Sequence, residues 1–257
     1  MILATWNVNS LKARLPRVLA WLEEVSPDVV CLQETKLAQE KFPTEDIAAL
    51  GYESVHFGQG QWNGVAILSR SGLEDPMPNF AAGIEPDDEA RIVSATCGGI
   101  RVMSVYVPNG RALDHDHYRY KLSWLDRLRA HLDATCDAGD DVVVAGDFNI
   151  APDDRDVWDA GALAGETHVS EAERTALDTV CSFGLEDTFR RFHDGAGLFS
   201  WWDYRNGSFH KGHGMRIDLI LASTPVASRS VWTAVDRNAR KGEGPSDHAP
   251  VLLEVAP

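Results

Sequence analysis

The chain has 257 residues, of which 44% are hydrophobic and 25% charged, a composition typical of globular proteins. This length can bury a substantial core, and without a linker or a composition break it predicts one domain over residues 1–257. The formal net charge of −15 argues against a protein that binds a polyanion over its whole surface. No apolar run is long enough to cross a bilayer, so no membrane partner is expected.

The cysteine pattern is typical of a protein from a reducing compartment. The four cysteines are far apart and form no Cys-x-x-Cys pair, and they are Cys31, Cys97, Cys136 and Cys181. The first six residues have the pattern of a strand rather than of a signal peptide. We therefore expect a cytoplasmic location. The sequence does not show the oligomeric state, and a monomer is the expectation.

In chain order, the first half alternates predicted strands and helices. After the first strand, Ser10 is a residue type that caps helices, and a helix is predicted from there to about Val25. Residues 71–90 are rich in proline, glycine and acid, and they are expected to form a surface loop. Strands are predicted over residues 2–8, 29–32, 52–57, 64–69, 91–96 and 102–107, with a short helix over 42–50.

The second half begins with a long predicted helix over about residues 117–137. Ser170 and Glu173 form a capping-box pattern that opens another helix, to about Phe183. The aromatic stretch 199–204 is strand-like, and further strands are predicted over 142–145, 215–221, 226–235 and 251–255. Strands outnumber helices and pair locally in the middle of the chain, which predicts a layered α/β fold.

The stretch around Asp147 and Asn149 organises the rest of the chain. The apolar run 142–145 is typical of a strand buried on both faces, and it leads into Gly-Asp-Phe-Asn. Since side chains alternate along a strand, Asp147 and Asn149 are expected to point the same way at an edge where ligands commonly bind. Their oxygens suit Mg²⁺ or Mn²⁺. The alternative is that Gly-Asp-x-Asn is only a turn.

Polar side chains also follow the other predicted strands. Each has an ordinary structural explanation: Asn7 could cap a helix, Asp218 could pair with Arg216, and His248 could be a structural histidine. Unrelated structural roles would not place all of these polar residues at strand ends, so together the residues indicate a functional site. The set comprises Asn7, Glu34, Tyr106, Asp147, Asn149, Asp218, Asp247 and His248.

The charge is unevenly distributed along the chain. Bases cluster between Arg205 and Arg216, with Lys211 among them, and again at Arg237, Arg240 and Lys241. A basic rim of this kind could receive a phosphodiester despite the acidic net charge. The alternative is that these residues are ordinary solvated loop charges.

Six motifs together resemble the exonuclease III family, the abasic-site endonuclease branch of the endonuclease/exonuclease/phosphatase superfamily. They run in the family's order along nearly the whole chain: Trp6-Asn-Val-Asn9, Leu32-Gln-Glu-Thr-Lys36, Tyr106-Val-Pro-Asn109, Gly146-Asp-Phe-Asn149, Arg216-Ile-Asp218 and Ser246-Asp-His248. The resemblance implies a four-layered α/β sandwich, in which two mixed β-sheets pack face to face with helices outside. Residue 9 is Asn, where some relatives carry an acid.

The resemblance also implies roles for the strand-end residues. Glu34 is the main ligand of Mg²⁺ or Mn²⁺, with Asn7 and Asp247 close by, while Asn149 and His248 complete the metal surroundings. Asp147 orients or deprotonates the attacking water or holds a second metal. Asn149 and Tyr106 contact the scissile phosphate. His248 donates to a phosphate oxygen and is held by Asp218.

The implied substrate is duplex DNA with an abasic site or a blocked 3′ end. Trp201, Met215 and Ile217 match the family's pocket for a base-less sugar, and Arg111 could fill the gap in the duplex. The alternative is that Trp201 and Met215 are core residues. Three further DNA-contacting candidates are Asn109, Arg91 and Lys211. The implied activities are abasic-site cleavage, 3′-phosphodiesterase, 3′-phosphatase and 3′→5′ exonuclease.

Two other functions compete with DNA repair. One is a phosphatase or phosphodiesterase of the same superfamily that acts on lipid head groups or inositol phosphates. The other is an inactive DNA-binding protein, which the complete set of acids and amides and the acidic net charge disfavour.

Overall fold

The computed structural model describes all residues from Met1 to Pro257. Its twelve strands are β1 (Ile2–Asn7), β2 (Val29–Gln33), β3 (Glu53–Phe57), β4 (Val65–Ser69), β5 (Glu74–Pro78), β6 (Ile92–Cys97), β7 (Ile100–Tyr106), β8 (Val142–Asp147), β9 (Leu185–Asp187), β10 (Asp218–Ser223), β11 (Ser230–Val235) and β12 (Val251–Val255). Its six α-helices are α1 (Leu11–Val25), α2 (Thr44–Ala49), α3 (Asp116–Thr135), α4 (Glu171–Cys181), α5 (Ser208–Lys211) and α6 (Thr224–Ser228).

The strands form two six-stranded mixed sheets. The order is β11-β12-β1-β2-β4-β3 in the first and β5-β6-β7-β8-β10-β9 in the second. Each sheet contains one parallel pair, β1 with β2 and β7 with β8, and every other pair is antiparallel. A parallel pair needs a crossover, and α1 and α3 supply one for each sheet.

Side-chain alternation along the strands explains the layers. Leu3 and Cys31 face the second sheet, where they pack against Val143 in a core of 19 buried residues drawn from both sheets. Their neighbours Ala4 and Val30 face the other way and pack under α1. The outer face of the second sheet is covered in the same manner by α3 and α4. The four-layered sandwich expected from the resemblance is therefore confirmed.

The helix boundaries follow local signals to different degrees. Ser170 accepts from the backbone N–H of Glu173, whose side chain accepts from the Ser170 backbone, so the predicted capping box is confirmed. Ser10 does precede α1, but its side chain makes no capping bond. Instead, the N–H groups of Ser10 and Leu11 donate to the carbonyls of Glu34 and Thr35, which ties the helix start to the end of β2.

Three sequence predictions are wrong in the structure. Residues 71–90 are not only loop, because 74–78 form the edge strand β5. Residues 199–204 form no strand, and Trp201 makes only isolated bridges to Met215 and His248. The predicted strand 226–235 begins as helix α6, because Pro225 at its first turn favours a helix start.

No helix in the structure is both long enough and apolar enough to cross a membrane.

The register of the strands places the polar residues in rows. Tyr106 is paired with Asp147 across β7 and β8, and Asp147 with Asp218 across β8 and β10. In the other sheet, Asn7 is paired with Gln33, and Glu34 follows directly. Gly146 allows the close approach of β7, since a Cβ there would lie 1.9 Å from the Val105 carbonyl oxygen. Both rows end at the same edge of the sandwich, where the candidate site lies.

Candidate active site

A cavity of about 170 Å³ lies at the edge where the two sheets meet. Ten of its eleven lining residues are candidates from the sequence, and His168 is the exception. The lining residues are Glu34, Tyr106, Asn109, Asp147, Asn149, His168, Trp201, Met215, Ile217, Asp247 and His248. A larger cavity, about 510 Å³, lies elsewhere, around Trp21 and Asp236, and holds no cluster of metal-ligating groups.

The backbone turns sharply where the functional residues leave their strands. Glu34 and Asn149, directly after β2 and β8, have φ of 50° and 52°, and His168 in the loop before α4 has φ of 79°, a left-handed conformation that non-glycine residues rarely adopt. Strained backbone of this kind is commonly held at functional sites by surrounding structure. Here the Asn149 N–H donates to the Asp147 carboxylate at 2.9 Å, which fixes the turn after β8.

Asn7 joins the acids of the two sheets. Its Nδ2 donates to Glu34 Oε1 at 2.8 Å and to Asp147 Oδ2 at 2.9 Å, while its Oδ1 accepts from the Asn9 N–H. Glu34 also pairs with Lys36 Nζ at 2.8 Å. The geometry thus places Asn7 as a bridge between two carboxylates, and its role as a metal ligand stays a prediction.

His248 lies between two buried carboxylates. Its Nδ1–H donates to Asp218 Oδ2 at 2.9 Å, and its Nε2 lies 3.8 Å from Asp147 Oδ2. Ser200 Oγ also donates to Asp218, which fixes that carboxylate. Burial acts to lower the pKa of His248, but Asp218, Asp147 and Asp247 outweigh it and raise the pKa to about 10. The imidazole is therefore positively charged at neutral pH.

Asp147 has an unusual affinity for a proton. Burial raises its pKa to about 7, although the positive charge of His248 acts in the other direction. Burial and the nearby Glu34 carboxylate raise the pKa of Tyr106 well above its usual value. The site therefore combines a carboxylate that exchanges protons near neutrality with a phenol that remains a neutral donor.

Glu34 and Asp147 could hold a divalent cation, whereas His248 beside them is an imidazolium without a free lone pair, so its role as a ligand stays a prediction. Ligand atoms of Glu34, Asp147 and His248 all lie within 4.8 Å of one another. Two carboxylates facing one point in a buried edge are a donor set that suits Mg²⁺ or Mn²⁺, so the residues fit the cation expected from the sequence. Asp247 lines the same cavity, but its oxygens accept from Asn9 Nδ2 and Trp201 Nε1. Its role as a ligand stays a prediction.

Asn149 is held from two sides. Its Nδ2 donates to the Val107 carbonyl at 3.0 Å, and its Oδ1 accepts from Asn109 Nδ2 at 3.1 Å. Asn109 therefore acts on the site through Asn149 and also lines the cavity itself. This arrangement leaves the two amides at the cavity wall in fixed orientations.

The predicted sugar pocket forms one wall of the cavity. Trp201, Met215 and Ile217 all line it, and all three pack together with Val157 in a small apolar cluster. Met215 is 6% exposed and Ile217 is 2% exposed. These side chains are therefore well packed and also border the site, and their role as a sugar pocket stays a prediction.

Two of the predicted DNA-contacting arginines border a second cavity. This cavity of about 390 Å³ shares Tyr106 and Asn109 with the first and is also lined by Arg91 and Arg111. Arg91 is only 4% exposed. It donates to Glu89 and to the Tyr106 carbonyl and stacks on the Tyr106 ring, so it supports that tyrosine.

The structure contradicts part of the predicted basic rim, because Arg216 does not reach the surface. Arg216 is fully buried, and it pairs with Asp156 at 2.6 Å and with Asp187 at 2.7 Å rather than with Asp218. It therefore cannot contribute to a DNA-binding surface. Lys211 is exposed at the end of α5 and forms no ion pair, but it does not line the cavity.

Sequence reasoning missed His168. Its Nδ1–H donates to the Asn149 carbonyl at 2.5 Å, and its Nε2 faces Asn109 Nδ2 at 3.5 Å. Burial and the nearby Lys121 lower its pKa to about 4, so the imidazole is neutral. It follows a long loop rather than a strand, so the strand-end pattern gave no signal for it.

Comparisons with known proteins agree with this geometry. The profile described as "Endonuclease/Exonuclease/phosphatase family" matches residues 4–248. Exodeoxyribonuclease III of Haemophilus influenzae is 34% identical, over 97% of this chain and 98% of its own length. The exodeoxyribonuclease of Bacillus subtilis is 30% identical, over 99% of each chain.

Solved structures show the same similarity. An AP endonuclease from Archaeoglobus fulgidus superposes with a TM-score of 0.96 at 39% identity, covering 100% of both chains. A 3′ phosphatase from Neisseria, bound to a product DNA hairpin, superposes with a TM-score of 0.95 at 39% identity, covering 100% of this chain and 99% of the other. The chain therefore belongs to the endonuclease/exonuclease/phosphatase family, in the branch of exodeoxyribonuclease III.

Proposed function

We propose that this chain is a metal-dependent DNA repair nuclease that hydrolyses phosphodiesters at abasic sites in duplex DNA, removes 3′-phosphates and other 3′ blocking groups, and removes nucleotides from recessed 3′ ends. The observation that carries the proposal is the placement of Glu34, Asp147 and His248 within 4.8 Å of one another in one cavity. Hydrolysis of a phosphate ester needs a positioned water and stabilisation of negative charge on the phosphate oxygens. This cluster offers groups for both.

Asp147 is the group that positions and deprotonates the attacking water. Its pKa of about 7 matches the requirement that a general base exchange protons near the working pH. The hydrogen bonds from Asn7 Nδ2 and the Asn149 N–H hold its two oxygens in place. A carboxylate fixed in this way keeps one orientation toward the phosphate through the reaction.

His248, Tyr106 and Asn149 stabilise the negative charge on the phosphate oxygens. The imidazolium of His248 keeps Nδ1–H on Asp218, which leaves Nε2–H free to donate to a phosphate oxygen. The neutral hydroxyl of Tyr106 is a second donor, and Asn149 borders the same space. Donors that are already oriented before the reaction stabilise the transition state more than mobile ones do.

Glu34 would hold the divalent cation, with Asp147 as the neighbouring base and the imidazolium of His248 as a donor rather than a ligand. A bound Mg²⁺ or Mn²⁺ would neutralise charge on the phosphate and on the leaving 3′ oxygen. The ammonium of Lys36, 2.8 Å from Glu34, compensates part of the acidic charge of this cluster.

DNA as the substrate is supported by the relatives and by the cavity. The related structure from Neisseria is described as a 3′ phosphatase bound to a product DNA hairpin, and that from Archaeoglobus as an AP endonuclease. A wall made of Trp201, Met215 and Ile217 is apolar and suits the face of a sugar that carries no base. Arg111 is exposed at the rim of the adjoining cavity, where it could contact the duplex.

We also infer that residues 1–257 act as one catalytic domain, because both sheets contribute to a single shared core. A monomer suffices for the proposed activity, because one chain supplies every residue that lines the cavity. All four cysteines are free, which fits a reducing compartment and supports a cytoplasmic location.

The proposal is tested with the purified protein and four duplexes of one sequence. One carries a 3′-phosphate, one a recessed 3′-hydroxyl, one an internal abasic site, and one no damage. We expect Mg²⁺-dependent hydrolysis of the first three, and a loss of at least about 10²-fold for Asp147→Asn. The matched control is Asp133→Asn on α3, where the acid is a surface partner of Arg129.

Inositol phosphates serve as competing substrates in the same assay. Faster turnover of an inositol phosphate than of any DNA substrate would reject the DNA assignment while leaving the family chemistry intact. Full DNA hydrolysis in excess chelator would reject the metal dependence.

A further inference from the structure

Trp158 and His213 form a stacked pair outside the catalytic cavity. Their ring centroids are 4.0 Å apart, and the ring planes are inclined by only 14°. The imidazole covers one face of the indole, yet Trp158 remains 40% exposed. A large aromatic side chain that is stacked on one side and open to solvent on the other is suited to receive another flat ring.

The pair is rigidly connected to the wall of the active site. The Trp158 N–H donates to the Gly214 carbonyl at 3.0 Å, and the neighbouring residues Val157 and Met215 form a β-bridge. Met215 lines the catalytic cavity. Since His213 is two residues from Met215, the stacked pair lies on the order of 7 Å from the cavity wall.

The backbone pairing between residues 156–158 and 214–216 is anchored in the protein interior. Arg216 N–H donates to the Asp156 carbonyl at 2.8 Å, and the two side chains form an ion pair with both fully buried. Gly214 permits the close packing, because a Cβ there would lie 2.5 Å from Trp202 Nε1. The Trp158 ring is therefore held in place before any ligand binds, which reduces the entropy lost on stacking.

We propose that Trp158 and His213 form a platform on which an exposed nucleobase stacks, at a break in the duplex close to the phosphate undergoing hydrolysis. The inference rests on the proposed function, because it takes DNA as the substrate. Bases inside an intact duplex have no free face, whereas the last base at a 3′ end, a nick or a gap exposes one. Base–aromatic stacking accepts every base, so the platform adds affinity without sequence preference.

The platform explains how an acidic protein can bind DNA with few basic contacts. The formal net charge is −15, and Arg216 is buried. Stacking on an aromatic ring does not depend on neutralising phosphates, so it supplies affinity that the surface charge does not. It also favours duplex ends and gaps over continuous duplex, as the proposed repair function requires.

The test uses a recessed duplex with 2-aminopurine as the 3′-terminal base, in EDTA to prevent hydrolysis. Binding is followed by anisotropy and stacking by quenching of the 2-aminopurine fluorescence. We expect Trp158→Ala to bind roughly tenfold more weakly and to lose the quenching. Trp158→Phe should retain most of both, and His213→Ala should show a smaller loss. The matched control is Phe192→Ala, because Phe192 is also 40% exposed and lies away from the cavity.

Wild-type hydrolysis of the same duplex with Mg²⁺ is measured in parallel. If the wild type cleaves the duplex but Trp158→Ala binds and quenches as the wild type does, the platform is rejected and the proposed function stands. If the wild type hydrolyses no DNA, both are rejected. Unchanged melting temperatures of the variants confirm folding, and the retained function of Trp158→Phe distinguishes stacking from a general loss of packing.

Discussion

Lys121 and Glu173 form an ion pair at 2.5 Å, and both side chains are fully buried beneath the catalytic cavity. The same ammonium donates to the Asn149 carbonyl at 2.6 Å and to the Asn109 carbonyl at 3.2 Å. Glu173 in turn accepts from the His168 N–H at 2.9 Å. Burial opposes ionisation of Glu173, but Lys121 and the other donors outweigh it and lower its pKa. One buried pair thus fixes the backbone of three cavity residues.

Lys121→Met should lose both stability and turnover. It leaves Glu173 buried without its partner, which typically costs about 3–5 kcal/mol. The carbonyls of Asn109 and Asn149 also each lose one of their donors, so kcat should fall more than KM rises. Urea unfolding and steady-state kinetics measure the two effects. Arg119→Met on the same helix breaks only a surface pair with Asp116 and should change stability by less than about 1 kcal/mol.

A double variant without either charge tests whether the turnover is lost through the unpaired Glu173 or through lost positioning of the cavity backbone. In the double variant with Lys121→Met and Glu173→Gln, the unpaired charge is gone, so part of the stability should return while kcat stays low. Recovery of kcat together with stability would show that the pair has no positioning role.

Asp147→Asn should stabilise the metal-free protein although it inactivates the enzyme. The folded-state pKa of Asp147 is about 7, above about 3.9 for an unfolded chain, so ionisation costs stability progressively as the pH rises from about 4 through 7. Asparagine does not ionise and avoids this cost. Urea unfolding in EDTA at pH 8 should show a gain on the order of 2 kcal/mol, and the gain should shrink at pH 5.

Asp218→Asn is the opposite case and serves as the comparison. The folded-state pKa of His248 is about 10, above about 6.5 for an unfolded chain. The stability that this contributes is complete below pH 6.5 and is lost as the pH rises through 10. Removing the Asp218 carboxylate should therefore destabilise the protein at pH 8. A gain in stability from Asp218→Asn would contradict the charged state of His248.

Cation binding should respond in opposite directions to two neighbouring substitutions. Glu34→Ala removes a carboxylate ligand and should weaken Mn²⁺ binding by at least about tenfold. Lys36→Ala removes a positive charge 2.8 Å from that carboxylate and should strengthen it. Calorimetric titration of Mn²⁺ measures both without any substrate. Asp116→Ala, an acid 95% exposed on α3, should leave the affinity unchanged.

His168→Ser should change which DNA lesion is preferred. The imidazole lines the same cavity as Trp201 and Met215, so it occupies space that a base-less sugar would need. Its removal should raise cleavage at an abasic site relative to hydrolysis of a 3′-phosphate, which does not require that space. The ratio of the two kcat/KM values is the measurement. An unchanged ratio would place the abasic sugar elsewhere.

How far the sequence predicts the site depends on the element that carries each residue. Asp147 and Tyr106 were predictable because buried strands are recognisable and their ends lie at one edge. His168 lies in a loop and reaches the cavity through the packing of Glu173 against Lys121, which no local pattern contains. Asn7 and Asp247 as metal ligands remain predictions.

Two of the wrong predictions had signals that pointed to the observed structure. Met215 and Ile217 were expected on one face, so Arg216 between them had to point the other way, into the interior. Pro225 at the first turn of α6 is a common helix start. By contrast, nothing local distinguishes residues 199–204 from a strand, because their aromatic content results from packing around the pocket.

The site is shared between the two sheets, and this sets the moment at which it can first exist during synthesis. Asn7 and Glu34 belong to the first sheet and Asp147 and Asp218 to the second, whereas His248 is positioned by the segment that leads into β12. β12 pairs with β1 and β11, so His248 reaches the two aspartates only after that strand has docked. A growing chain on the ribosome therefore lacks a positioned His248 until β12 has emerged and docked. Until then Asp147 and Asp218 are without their imidazolium partner, so the proposed site is incomplete in the nascent chain.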